Sequence, residues 1–318
     1  MSKNLLSRWF EVYQELGQPI GIHTFRVDKR DGQIEHQEHS HIEWDGFSLA
    51  VYKLRQLGWV IQPPRRLKSF SLSFLAKVKA FFHYLIWARV RDVRWKKFDA
   101  QRTGHNPPQI HVFEQEMTEK WLRDLAQQNL SPNAWLLHRL NKLTAPLIHS
   151  SEGIWWIPVD YRPYSDFSWD EPNVVSHIAV SINTSQNPRL IETFIQKNLI
   201  DGAPWAAWKW MQLIAKFGKT TMKGILQSQL KKNRWCGTMT YLGRWPNRFA
   251  TAPVDTPYRL VGAPPPMLGH PISMGVSLMC DQLCVAFTSH CSLFSETESQ
   301  MFFHDFLDEV SNGMKGQV

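Results

Sequence analysis

The run Glu38–Gly46 (EHSHIEWDG) holds the residues of this sequence that are best suited to chemistry. It lies at the end of a strand-like stretch, and in it His41 is followed four residues later by Asp45 and then by Gly46. The imidazole of a histidine can take up a proton near neutral pH, and a carboxylate in the same short turn can orient it. The spacing therefore indicates a general base, His41, with Asp45 as its supporting carboxylate.

The same residues resemble the HHxxxDG signature of the CoA-dependent acyltransferase superfamily, which includes chloramphenicol acetyltransferases, peptide-synthetase condensation domains and bacterial wax ester synthases. His41, Asp45 and Gly46 match the second histidine, the aspartate and the glycine of that signature, whereas Ser40 stands at its first histidine. The resemblance implies that His41 is the catalytic base and that Asp45 points away from the substrate and pairs with an arginine. Gly46 would permit the tight turn from strand to helix.

Weaker matches follow in the family's order, from about residue 20 to residue 310. They are a helix start at 131–134, a "VPVxxR"-like strand at 156–162, a strand end at 240–243, and a final hairpin and helix at 271–307. By this resemblance the remaining site residues are Arg162 as the partner of Asp45, Thr240 as donor to an oxyanion with Ser277 behind it, and Ser40 and Asn133 as further residues of the site.

The resemblance implies a mixed α/β fold, a chloramphenicol-acetyltransferase-like two-lobed sandwich. Because only 40 residues precede His41, we expect a shortened N-terminal lobe over residues 1–98, a linker over 99–105 and a fuller lobe over 106–318. An incomplete sheet leaves an open edge that favours pairing, so a homo- or hetero-oligomer that completes the first lobe is expected. The family's DFGWG-type element is absent, and residues 240–245 stand nearby instead.

The hydrophobic pattern predicts mixed helices and strands. Helices are predicted over 5–16, 47–57, 67–98, 118–128, 133–148, 188–199, 204–230 with a break near Gly218, and 296–310. Strands are predicted over 20–27, 33–41, 110–115, 154–159, 174–182, 237–242, 272–279 and 282–289. Thr118 and Ser295 are predicted as helix N-caps, and the helix over 67–98 is predicted to be basic and amphipathic.

A metal site is a competing interpretation of the same histidines. His39 and His41 alternate onto one face of a strand, as in the HxH of metallo-β-lactamase-like hydrolases, and His36, Glu43 and Asp45 stand close by. The hydrolase pattern continues as HxHxDH, and this chain has no histidine at the required place. We therefore predict no metal and keep a metal-dependent hydrolase as the less favoured alternative.

The charge of the chain favours an anionic partner. Lys and Arg outnumber Asp and Glu by 36 to 28, a net charge of +8, which suits phosphorylated CoA, an acidic carrier protein or an acidic lipid surface. Residues 53–97 hold twelve Lys or Arg and only Asp92 as an acid, interleaved with aromatic residues. This segment fits an anionic membrane surface, and a solvated basic face is the alternative. No nucleic-acid-binding signature accompanies the charge, so nucleic acid is not an expected partner.

Cysteine usage and the amino terminus indicate the compartment. Four cysteines without framework spacing, no signal peptide and no uninterrupted apolar span of membrane length predict a cytoplasmic protein. The basic segment adds the expectation of peripheral contact with a membrane.

The sequence as a whole predicts an acyltransferase. Its donor would be acyl-CoA or an acyl carrier protein, each a thioester co-substrate rather than a bound cofactor, and its acceptor a hydroxyl or an amine. Ser40 and the short first lobe leave a second hypothesis open, a catalytically degenerate, condensation-like binding subunit of a larger synthase.

Overall fold

The computed structural model describes residues 5–62, 72–90, 93–162, 173–183, 185–230, 235–247 and 249–316. Its helices are α1 (Leu5–Glu15), α2 (Gly46–Gln56), α3 (Phe74–Val90), α4 (Gln115–Gln127), α5 (Pro132–Thr144), α6 (Pro188–Ile200), α7 (Ala203–Lys216), α8 (Lys219–Leu230) and α9 (Glu296–Met314). Its strands are β1 (Gly21–Asp28), β2 (Ile34–Ser40), β3 (Val60–Ile61), β4 (Gln109–Val112), β5 (Glu152–Asp160), β6 (Val175–Asn183), β7 (Gly237–Trp245), β8 (Ala250–Thr251), β9 (Tyr258–Ala263), β10 (Ile272–Met279) and β11 (Gln282–Ser289). The predicted mixed α/β class is confirmed.

Strands β10 and β11 form the centre of a six-stranded sheet with the order β4-β11-β10-β7-β5-β6. Every residue of β10 is buried, which explains why its sequence is an almost continuous apolar run. β7 pairs in parallel with β10 and β5, and the other neighbours are antiparallel. Helices α4, α5, α6 and α9 pack with this sheet around the largest hydrophobic core.

A second sheet of three strands carries the histidine motif. β1 and β2 form an antiparallel hairpin, and β9 pairs with the other edge of β1 to give the order β2-β1-β9. Helix α2 packs against β9 across a core that includes Leu54 and Val261. Because β9 comes from late in the chain, residues of the predicted second lobe complete the sheet of the first.

Residues near the predicted domain boundary contact the second lobe as well. Val93 and Trp95 are buried in the largest core, and the backbone N–H of Asp99 donates to the carbonyl of Ser292 at 2.8 Å. The carbonyl of Gly104 accepts from the Cys291 N–H at 3.1 Å. The segment predicted as a linker is thus bonded to the body of the protein, and the division at residue 98 stays a prediction.

Strand β2 is an edge of the three-stranded sheet among the described residues. Its exposed side chains are Ile34 and three polar ones, His36, Gln37 and Glu38. Charged and polar side chains on an edge strand discourage pairing with another chain. An oligomer that completes the first lobe therefore stays a prediction.

Most predicted elements are confirmed within a few residues, three short strands (β3, β8 and β9) were not predicted, and two expectations are wrong. β9 was not predicted, because its six residues lie between Pro257 and the run Pro264–Pro266, which mark a loop in a sequence. Thr118 lies inside α4, where its hydroxyl donates to the Glu114 carbonyl at 2.9 Å, so it is not the N-cap. The second wrong expectation is the helix predicted over 67–98.

That helix is shorter than predicted and is not amphipathic. α3 covers residues 74–90, residues 67–71 lie outside the described ranges, and Trp95 forms an isolated β-bridge with Ile148 instead of continuing the helix. Large apolar side chains of α3, such as Phe82 and Ile86, are exposed rather than packed inward. Within the described ranges, every helix is too short or too polar to span a lipid bilayer.

The two sheets lie close together at Gly275 of β10. A Cβ placed on Gly275 would lie 1.5 Å from the carbonyl oxygen of Gly262 in β9. We expect Gly275→Ala to force β9 and β10 apart and to lower the free energy of unfolding by about 1–3 kcal/mol or more. Urea denaturation followed by fluorescence measures this loss.

The matched control is Gly224→Ala in α8. A Cβ at this exposed position meets nothing within 4 Å, and alanine favours a helix over glycine by roughly 0.5–1 kcal/mol. This variant should be slightly stabilised. An equal response of both variants would contradict the close sheet contact at Gly275.

Candidate active site

Helix α2 begins at a cap formed by Asp45. The Asp45 Oδ1 accepts from the Ser48 backbone N–H at 2.7 Å, and the Ser48 hydroxyl oxygen accepts from the Asp45 N–H at 3.2 Å. This reciprocal capping box pairs N–H groups that the first turn of a helix otherwise leaves free. Gly46 follows as the first residue of α2, and a Cβ there would meet only Leu242 Cδ2 at 3.9 Å. The turn itself therefore does not require glycine, although Gly46 lines the cavity described below.

The other oxygen of Asp45 holds a buried arginine. Oδ2 accepts from Arg162 Nη2 at 2.7 Å and from the Val174 backbone N–H at 2.8 Å. Arg162 also donates from Nη1 to Asp160 Oδ1 at 2.8 Å. The side chains of Arg162 and Asp45 are only 2% and 1% exposed. Arg162, the partner implied for Asp45, thus joins the start of α2 to the end of β5 and to the residues that enter β6.

The protonation of this cluster follows from burial and from its neighbours. Burial raises the pKa of Asp160 to about 6, with Arg162 opposing the rise and Asp45 adding to it. Burial acts to lower the pKa of Arg162, but the carboxylates of Asp45 and Asp160 outweigh this effect and raise the pKa. Arg162 therefore stays charged between its two acidic partners.

His41 lies just after β2, in the turn that Asp45 closes. Its backbone N–H donates to the Ile20 carbonyl at 2.9 Å, and its ring stacks on Phe10 of α1 with 3.8 Å between the ring centroids. The ring atom Nδ1 is buried and has no hydrogen-bond partner among the described residues. Burial lowers the pKa of His41, and the negative charge of Asp45 opposes this shift. His41 is therefore neutral at physiological pH.

A cavity of about 230 Å³ opens beside His41, and Asp45, Gly46, Arg162 and Thr240 also line it. The Thr240 hydroxyl, on β7, has no hydrogen-bond partner among the described residues. Much of the remaining wall is apolar and comes from α1, α7, α8 and the sheets: Leu6, Trp9, Phe10, Tyr13, Ile22, Trp156, Trp210, Met211, Leu226, Trp235 and Val261. A neutral imidazole therefore faces a mainly apolar chamber whose wall also includes Thr240.

Three of the predicted site residues lie elsewhere. The Ser277 hydroxyl on β10 donates to the Leu260 carbonyl at 2.7 Å, so it is bonded locally between the two sheets. The Ser40 oxygen accepts from the Ile42 N–H at 3.2 Å in the turn before the motif. Asn133 lies in α5, on the helical side of the second lobe. None of the three lines the cavity.

The cavity also has residues that sequence reasoning missed. His177 and His270 line it together with Trp156, whose ring meets both imidazoles edge-on at centroid distances of 4.6 and 4.8 Å. Burial lowers the pKa of each histidine to about 3. These two histidines lie 93 positions apart in the sequence, and no local spacing signals that they share a wall.

Asn173 is a further residue that carried no sequence signal. It has a positive φ of 56° and donates from its side-chain amide to the Ile42 carbonyl at 2.7 Å. Its side chain favours the protonated form of His41. Asn173 thus braces the turn between β2 and α2 from the side on which β6 enters the sheet.

No group of three or more metal-ligating side chains occurs among the described residues. His36, one of the candidate ligands, is bonded to His23 with 3.1 Å between Nε2 and Nδ1, and its ring stacks on Phe25. His41 instead faces the cavity beside Phe10. The geometry therefore gives the metal-dependent alternative no support within these ranges.

Comparisons with known proteins identify the fold. No protein-family model and no curated protein sequence matches the chain. Solved structures do match: the first condensation domain of the calcium-dependent antibiotic synthetase, in complex with a substrate analogue, has a TM-score of 0.52 at 12% identity, covering 88% of this chain and 66% of that one. The trichothecene 15-O-acetyltransferase TRI3 from Fusarium sporotrichioides has a TM-score of 0.51 at 12% identity, covering 98% and 75%.

The epimerization domain from the third module of tyrocidine synthetase B is similar as well, with a TM-score of 0.50 at 13% identity, covering 91% of this chain and 70% of that domain. The chain thus spans about two thirds to three quarters of the length of these three proteins. At such low identity the likeness concerns the fold. The chain has the two-lobed fold shared by condensation domains and the acetyltransferase TRI3, which agrees with the fold that the sequence resemblance implies.

We expect Asp45→Asn to destabilise the protein strongly. The amide cannot neutralise buried Arg162 or accept all three hydrogen bonds of the carboxylate, and breaking one partner of a buried pair typically costs about 3–5 kcal/mol. Equilibrium urea denaturation measures the change in the free energy of unfolding.

Asp281→Asn is the control for that variant. Asp281 pairs with Arg244 at 2.6 Å, but the Arg244 side chain is 59% exposed, and exposed pairs contribute about 0–1 kcal/mol. A loss for Asp45→Asn as small as that for Asp281→Asn would show that the buried pair does not hold this turn.

Proposed function

We propose that this protein transfers an acyl group from a thioester, either acyl-CoA or an acyl carrier protein, to a hydroxyl or an amine, with His41 as the general base. The observation that carries the proposal is the neutral, buried His41 ring on the wall of a mainly apolar cavity, with the Asp45–Arg162 pair behind it. The fold shared with condensation domains and an acetyltransferase supports the same class of reaction.

Acyl transfer needs a general base and a hydrogen-bond donor to the oxyanion, and the cavity wall has a candidate for each. His41 would take the proton from the acceptor through Nε2, since Nδ1 is enclosed, while the acceptor oxygen or nitrogen attacks the thioester carbonyl. Positioned proton transfer of this kind contributes about 10²- to 10⁴-fold to a rate. The tetrahedral intermediate would then expel the thiolate, which leaves as a thiol with the proton held by His41.

Thr240 is the proposed donor to the oxyanion of that intermediate. Its hydroxyl lines the same cavity as His41 and has no competing partner among the described residues. A donor aimed at developing negative charge in a largely water-free site stabilises the transition state more than it would in water. Ser277 is unsuited to this role because its hydroxyl is bonded to Leu260.

Asp45 acts in this proposal as a positioning residue. Its two oxygens are occupied by Ser48, Val174 and Arg162, so the carboxylate is not available to take a proton from the substrate. Phe10 fixes one face of the imidazole by stacking. The His41 ring is therefore held in an orientation that leaves Nε2 available for proton transfer.

A non-catalytic binding subunit is the second hypothesis. Ser40 replaces the first histidine of the motif, and the Ser40 side chain lies outside the cavity. In such a subunit the cavity would bind an acyl group or a carrier-protein arm without turnover.

The test of the proposal is thiol release from acyl-CoA donors of different chain length in the presence of hydroxyl and amine acceptors. We expect His41→Ala to lower turnover by about 10²-fold or more while its urea denaturation curve stays close to that of the parent protein. Absence of thiol release from the unaltered chain with every donor, together with saturable acyl-CoA binding, would favour the binding subunit.

His39→Ala is the matched control. His39 lies two residues before His41 in the same motif, and its side chain does not line the cavity. We expect this variant to keep its turnover. Loss of activity in both variants, reversed by added metal, would instead revive the HxH interpretation.

The pH dependence of kcat/KM provides a separate prediction. Burial holds the pKa of His41 below its ordinary value of 6.5, so the proton-accepting form persists as the pH falls to 6.5 and is lost only at lower pH. We expect an acid limb with an apparent pKa below 6.5. A limb centred at pH 7 or above would contradict a buried, neutral base.

Asp160 also titrates near this range, because burial raises its pKa to about 6. The pH profile of the variant Asp160→Asn distinguishes the titration of His41 from that of Asp160. The limb should remain in this variant if it belongs to His41, whereas its disappearance would assign it to Asp160.

A further inference from the structure

Helix α3 leaves a large apolar surface uncovered by the described residues. Its inner side packs on the protein: Ala80 is buried, the Phe81 ring lies 6.3 Å from that of Trp210, and the Tyr84 hydroxyl is 3.1 Å from His177 Nε2. Its outer side carries five large apolar side chains with exposed fractions between 38% and 78%, which we call the α3 apolar face: Phe74, Leu75, Val78, Phe82 and Ile86.

The spacing of these side chains makes them one surface. Leu75, Phe82 and Ile86 follow the i, i+7, i+11 spacing of a single helical face, with Lys79 at i+4. Single exposed apolar residues are ordinary, but a contiguous group on one helix marks a site of interaction. A helix that is apolar on both sides is normally covered on both sides.

The positive charge around α3 favours an anionic partner. α3 contains no aspartate or glutamate, and Lys79 is exposed on the apolar face itself. Lys77 on α3 and Lys209 and Lys216 on α7 add positive charge nearby, and the pKa of Lys209 is lowered by burial and by the charges of Lys216 and Lys77. Two copies of the chain pairing through this face would bring lysines against lysines, which opposes such a dimer. An anionic lipid surface complements both the charge and the apolar side chains.

We propose that α3 binds the interface of an anionic membrane, with the α3 apolar face inserted among the lipid chains and Lys77 and Lys79 at the head groups. Long lysine side chains can reach head groups from such a position. The binding does not depend on acyl transfer. Since Trp210 and His177 contact α3 and also line the cavity, it would place the wall of the cavity beside the lipid surface.

Co-sedimentation of the full chain with vesicles tests the proposal. We expect binding to vesicles of phosphatidylcholine mixed with phosphatidylglycerol, at least tenfold weaker binding to phosphatidylcholine alone, and weakening by salt. The double variant Phe82→Glu/Ile86→Glu should lose at least tenfold in binding to the mixed vesicles. Absence of binding by the unaltered chain would overturn the proposal.

The matched control is Leu190→Glu/Met301→Glu, which places the same charges at exposed apolar positions of α6 and α9. It should bind mixed vesicles as the unaltered chain does. Equal losses of vesicle binding in the two double variants would overturn the assignment to α3. So would a dimer, seen by light scattering, that Phe82→Glu/Ile86→Glu abolishes while vesicle binding persists. Thiol release by Phe82→Glu/Ile86→Glu is measured in parallel with a soluble donor. This measurement distinguishes a loss of membrane binding from a loss of acyl transfer.

Discussion

The ion pair between Asp45 and Arg162 holds the candidate site together. Removing two charges from water is costly, and their attraction offsets that cost only where the remaining hydrogen-bonding positions are also filled. Here the N–H groups of Ser48 and Val174 and the carboxylate of Asp160 fill them. The start of α2, the end of β5 and the residue before β6 therefore converge on one carboxylate, and the turn that carries His41 is held by residues more than 110 positions later in the chain.

The same burial sets the state of the histidine. Removal of the imidazole from water lowers its pKa, and the charge of Asp45 opposes this change without reversing it, because Arg162 already pairs with that carboxylate. An unpaired aspartate at this position would favour the protonated ring, which cannot act as a base. The ion pair thus serves two ends, a rigid turn and a neutral imidazole.

The sequence predicts the part of this arrangement that is local. His41, Asp45 and Gly46 lie within six residues, and a cap followed by a helix is specified by neighbours in the chain, so their proximity could be predicted. Arg162 could be placed only by resemblance, since 117 residues separate it from Asp45. The positions of Ser277 and Asn133 outside the cavity could not be predicted from the sequence. A strand pattern does not reveal which face meets the cavity, and a helix start does not reveal its distance from the site.

The contribution of β9 could not be predicted for a related reason. Its short apolar run is flanked by prolines, and its value as a strand comes from pairing with β1, more than 230 positions earlier. That pairing also explains how a lobe with few residues before the motif still builds a three-stranded sheet. The third strand of that sheet comes from late in the same chain, and the absence of a side chain at Gly275 lets it lie close against β10.

The distribution of aromatic residues separates the cavity from the outer surface of α3. Two tryptophans of α7 have different surroundings. Trp208 is buried and stacks on Tyr161, whereas Trp210 faces the cavity. Trp210 is half-buried, and the Phe81 ring lies 6.3 Å from its own ring. Phe74 and Phe82 are instead exposed. Because the hydrophobic effect disfavours that exposure in water, α3 is the part of the described surface that gains most from an apolar partner.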